Sequence, residues 1–151
     1  MLRPIAIATL VAGTLDILFA MILTVAYGRE IPNMLRYVAS GPFPAATDMG
    51  AAGAGLGLLV HFTLMGIIAA AYVWFASQPR REHLRTMPVR AGIAYGLVTY
   101  AIMNWVVVPL RFDTPLPPKP LSIATQLFAH IVLVGIPIAL LAARHLRTHA
   151  I

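Results

Sequence analysis

Cysteine is absent from the 151 residues. That absence removes disulfide scaffolds, Cys-ligated zinc, iron–sulfur clusters and thiol nucleophiles together. Charge is scarce as well: Asp, Glu, Lys and Arg make up 11% of the chain, and only five residues are acidic. A domain that folds in water carries about 25% charged residues, so an aqueous globular fold is not expected. Hydrolase signatures are missing. The chain has no G-x-S-x-G and no H-E-x-x-H, and the glycines of Gly50–Gly57 follow no strand pattern that would make them a phosphate loop. The methionines form no Met-x-x-Met cluster and read as core filler rather than copper ligands. An enzyme is not expected.

What the chain does have is apolar residues, 60% of the total, at a mean hydropathy of +0.83. They fall in four runs: Ile5–Tyr27, Ala51–Ala76, Val89–Val108 and Leu121–Ala143. Each meets the requirement of about 20 residues for a helix crossing a hydrocarbon core. The expected fold is all-α, a single domain over residues 1–151: an integral membrane protein built as a four-transmembrane-helix bundle. The punctuation agrees. Gly28-Arg29-Glu30 ends the first helix, Thr47-Asp48 is placed to cap the second, and Gln78-Pro79-Arg80-Arg81 ends it. Pro88 suits the first turn of the third helix, Pro109 closes it, and Pro120 stands ahead of the fourth. The first run exceeds the 7–15 residues of a signal-peptide core and lacks an A-x-A site, so it reads as a retained span.

The net charge of +6 lies between the runs. Arg3, Arg80, Arg81, Arg85, Arg90, Arg144 and Arg147 fall on one side; Arg29, Arg36, Arg111 and Lys119 fall on the other. Cytoplasmic loops carry the excess of Lys and Arg, which puts both termini in the cytoplasm. Basic charge in this arrangement suits a lipid surface rather than nucleic acid. In the first outer loop, Ile31, Met34, Leu35 and Val38 keep i, i+3, i+4, i+7 spacing, and Gly41-Pro42 follows. This predicts a short amphipathic helix at the interface. The last outer loop, Thr114 to Pro120, is proline-rich and reads as a stiff cap.

An ionisable side chain in mid-membrane costs about 2.5–3.5 kcal/mol on insertion scales, so each needs a reason. Here they are Asp16, His61 and His130, accompanied by Asn104 and Gln126. At a rise of about 1.5 Å per residue, Asp16, His61, Asn104 and His130 fall in one layer, in the middle to outer half of the membrane. Each lies on a stripe of small or polar residues. The stripes are Thr9, Gly13, Asp16, Ala20, Thr24; then Gly50, Gly53, Gly57, His61, Met65; then Gly92, Gly96, Tyr100, Asn104; then Ser122, Gln126, His130, Leu133. Gly53-x-x-x-Gly57 and Gly92-x-x-x-Gly96 are motifs that let helix backbones approach. The expectation is a polar ligand- or proton-binding cluster of Asp16, His61, Tyr100, Asn104, Gln126 and His130. Its bland counterpart is that Asn104 and Gln126 merely hydrogen-bond across helices and each histidine donates to a neighbouring carbonyl. Asp16 resists that account: no Lys or Arg stands mid-span to pair it, so it is either protonated or held by a histidinium.

The order Ala12-Gly13, Val60-His61-Phe62, Val108-Pro109-Leu110, then a proline-rich loop leading to Phe128-Ala129-His130, resembles the YagU-like group of bacterial inner-membrane proteins. The resemblance spans the four runs and implies a small multi-pass protein of the bacterial inner membrane. It implies no mechanism, and this chain lacks that group's long first outer loop.

Three functions compete. Proton-linked transport, or binding of a small molecule or ion, follows from an acid among histidines. Four helices are few for alternating access, so this reading needs a homodimer. It is similar to the small multidrug-resistance transporters, although their helix-1 acid is a glutamate, in surroundings unlike Leu15-Asp16-Ile17. The second function is cofactor binding: haem between His61 and His130, or a divalent zinc or iron held by both with Asp16. The third is a lipid-interacting or assembly protein whose polar cluster only fixes helix register. No cofactor is the leading expectation, and the lipid bilayer is the first partner.

Overall fold

The computed structural model describes residues 1–148, and these are helical with no strand among them. Four helices are long and apolar enough to cross a membrane: α1 (Leu2–Ala26), α3 (Gly50–Ser77), α5 (Pro88–Phe112) and α6 (Pro120–Arg147). Two short helices join them, α2 (Ile31–Ser40) between α1 and α3, and α4 (His83–Thr86) between α3 and α5. The N-terminus, the last described turn of α6 and α4 share one end, called here the terminal end. The opposite end carries α2 and the irregular 113–119 segment and is the lid end.

Helix boundaries follow local chemistry. Gly28 adopts a left-handed φ of +67° and its N–H reaches Val25 O, while the Arg29 N–H reaches Thr24 O. That pair of bonds is a Schellman stop, which only glycine makes without strain. Pro88 and Pro120 sit in the first turns of α5 and α6, where a missing N–H costs nothing. Two expected boundaries are corrected. Thr47 and Asp48 do not cap α3: they belong to a 3₁₀ turn (Pro44–Asp48) in which the Thr47 hydroxyl donates to Pro44 O at 3.3 Å. Pro109 does not close α5, which runs on to Phe112.

Pro109 is accommodated by a π-helical stretch, Met103–Val107, just ahead of it. A helical proline removes a hydrogen bond and crowds the carbonyl four residues back, here Trp105. The wider π turn contains that carbonyl. Helix α6 repeats the device, with a π stretch at Ala129–Gly135 ahead of Pro137. Such bulges are frequent at functional sites.

Packing differs between the two ends. Toward the terminal end, Ala8, Ala12, Ala69, Ala76, Ala139 and Ala142 form a seam among α1, α3 and α6, filled by Met65, Val73, Val134 and Ile138. Small side chains bring the backbones together there. Tyr72 donates to Leu84 O at 3.2 Å and Tyr95 to Ile68 O at 2.7 Å, so these phenols are satisfied where they are buried. Helices α5 and α6 cross on glycines. A Cβ on Gly92 would stand 2.6 Å from Ile136 Cα, and one on Gly96 would stand 2.6 Å from Ile131 Cα. Gly135 faces both from α6.

The other glycine motif has a different partner. Gly57 abuts the backbone of Leu35, and Gly53 the carbonyl of Ala46, so this stripe seats α2 and its turn rather than another long helix. The amphipathic stripe of α2 turns toward α3, with Leu35 buried and Ile31, Met34 and Val38 half-buried. Its far end is clamped from α5. Arg111 donates to Ser40 O at 2.8 Å and also to Gly41 O, and Phe112 stacks on Tyr37 at 4.3 Å. A cation on the last carbonyls of a helix is favoured by the dipole.

Candidate functional site

Toward the lid end the alanine seam gives way to a cavity of about 220 Å³. Its wall includes Asp16 from α1, His61 from α3, Asn104 from α5, and Gln126 and His130 from α6. Five of the six residues expected from the sequence therefore meet around one space. Tyr100 does not line it; its ring lies edge-on to His130, with centroids 6.0 Å apart, and its hydroxyl accepts from Trp105 Nε1 at 3.2 Å. Val38 of α2 closes the cavity and Met65, Met103 and Val134 supply apolar wall, so the first short helix is a lid.

The hydrogen bonds fix what each polar group offers. A carbonyl can only accept, so His61 Nε2–H donates to Gly13 O at 2.9 Å. The other ring nitrogen, Nδ1, faces Asp16 Oδ2 at 4.0 Å. His130 Nδ1–H donates to Gln126 O on its own helix at 2.9 Å, which leaves Nε2 uncommitted. Asp16 and both imidazoles line the same cavity. Among the described residues no Lys or Arg lines the cavity. His61 presents a lone pair to Asp16 when neutral, so an ionised Asp16 beside a neutral His61 sets negative charge against negative. One proton on the pair removes that conflict, as carboxylic acid with imidazole or as carboxylate with imidazolium.

The bland reading holds for the histidines, each of which does donate to a carbonyl. It fails for the amides. Asn104 Nδ2 bonds Tyr100 O within its own helix at 3.3 Å, and no cross-helix bond from Asn104 or Gln126 is found among the described residues. The π stretches explain the presentation of two groups, since Asn104 lies in Met103–Val107 and His130 in Ala129–Gly135. Sequence reasoning missed these bulges, although Pro109 and Pro137 within apolar runs were the available signal.

The cofactor alternatives do not fit this geometry. Among the described residues no set of three His, Asp or Glu is placed to hold a metal. Haem between the two imidazoles is ill matched, because His61 Nε2 is already engaged. The space also falls below the roughly 300–1,000 Å³ that drug-sized ligands need. No protein-family model matches the chain, and neither a curated protein nor a solved structure matches it.

Proposed function

We propose that the chain is a multi-pass membrane protein in which the Asp16–His61 pair exchanges its proton for a small ligand, as in proton-linked transport or ion binding. The observation that supports this reading is the pair itself: an acid on α1 and an imidazole on α3, 4.0 Å apart, in a cavity where, among the described residues, His130 is the one other group able to carry positive charge. A carboxylate that gives up its proton in an apolar surrounding needs a replacement positive charge. A cavity of about 220 Å³ admits a small ion or a molecule of a few heavy atoms. Apolar side chains facing outward on every long helix, among them Leu18, Ile22, Leu59, Ile67, Leu97 and Val132, support placement in a bilayer. The arginine distribution supports cytoplasmic termini. The bacterial inner membrane follows from the YagU-like resemblance, and a homodimer from the small number of helices.

Addition of tetramethylammonium or sodium to the purified protein in weakly buffered detergent tests the exchange. Release of about one proton per chain by the parent, and none by Asp16→Asn, is the expected result. Equal release from both proteins, or none from either over a panel of small cations, contradicts it.

A further inference from the structure

A second cavity, of about 540 Å³, lies at the lid end between α1 and α6. Arg29 and Lys119 stand in its wall, Leu23, Met34 and Leu121 give it apolar surface, and Gln126 belongs to both cavities. No Asp or Glu lines it. Neither cation has an ion-pair partner among the described residues, whereas Arg111 is spent on the end of α2. Two exposed cations without a carboxylate, above a cleft between two long helices lined by apolar side chains together with the hydroxyls of Thr24, Tyr27, Ser122 and Thr125, match one kind of ligand. It carries a compact anion at one end and a hydrocarbon portion at the other. The volume lies in the range of sites that enclose such molecules.

We infer that this cleft binds an anionic amphiphile from the surrounding bilayer, a phosphate-headed lipid, with Arg29 and Lys119 on the phosphoryl oxygens and the acyl portion against Leu23, Met34 and Leu121. This site is separate from the Asp16–His61 pair and stands whether or not that pair exchanges protons. Gln126 lines both cavities, so occupancy of the cleft bears on the inner cavity through that amide.

The full chain in nanodiscs of mixed phosphatidylglycerol and phosphatidylcholine is examined by native mass spectrometry after release, and hexyl phosphate binding is titrated in detergent. The parent should retain phosphatidylglycerol over phosphatidylcholine and bind hexyl phosphate more tightly than hexanol or inorganic phosphate. Arg29→Gln with Lys119→Gln should weaken both by roughly tenfold or more. Arg80→Gln with Arg81→Gln, an equal loss of charge at the opposite end, should leave both unchanged. Retention without headgroup preference, or a cleft double variant that binds like the parent, would overturn the inference. Inorganic phosphate binding as tightly as hexyl phosphate would overturn its amphiphile part.

Discussion

Asp16 is the residue on which the proposed proton exchange turns. Asn keeps its shape and can donate to the His61 nitrogen that faces it, so Asp16→Asn leaves no uncompensated charge. Its effect on stability should stay within about 1 kcal/mol, well short of the 3–5 kcal/mol seen when one partner of a buried charge pair is left alone. Thermal unfolding in detergent checks this, and a large loss would mean that the pair is a structural ion pair. His61→Ala removes more: a bond to Gly13 O, and a ring that fills space beside Phe62. A cost of about 2–4 kcal/mol is expected from the same assay. The meeting of Asp16 and His61 was legible because polar groups in apolar runs are costly and therefore few. Which ring nitrogen faces the acid was not legible, since it depends on the Gly13 carbonyl of another helix.

At the level of elements, the glycines and prolines decide how helices meet. A Cβ at Gly57 meets the backbone of Leu35, which cannot step aside as a side chain can. Gly57→Ala should cost about 1–3 kcal/mol, concentrated in α2. Hydrogen exchange across Ile31–Ser40 should rise while the α5–α6 crossing stays protected; uniform loosening would argue against a separately seated lid. Pro137→Ala restores the missing N–H. The stretch Ala129–Gly135 should then tighten toward α-helix, turning His130 by about 100° for the residue of register gained. Slower exchange in that stretch is the expected readout, and no change would remove the proline as its cause. The existence of the four long helices was plain from composition, and their inward stripes from i+4 spacing. The partner of each stripe was not. Gly53-x-x-x-Gly57 reads the same whether it receives a long helix or a ten-residue lid.

The described residues pack tightly at the terminal end and hold a lidded cavity toward the other. Alanines draw α1, α3 and α6 together toward the termini, while polar side chains and two π bulges hold a cavity beneath α2 toward the lid end. That asymmetry suits a site reached from one side only. The seven-to-four excess of basic residues supports the proposed placement of the terminal end in the cytoplasm. The lack of cysteine makes the central claim, that groups distant in sequence meet inside the bundle, directly testable. Asp16→Cys with His61→Cys, and Leu15→Cys with Leu59→Cys on the outward faces of the same helices, are treated in membranes with a short bis-methanethiosulfonate. The account predicts an intramolecular cross-link in the first pair and none in the second. A cross-link confined to the second pair, or absent from the first in folded protein, would contradict it.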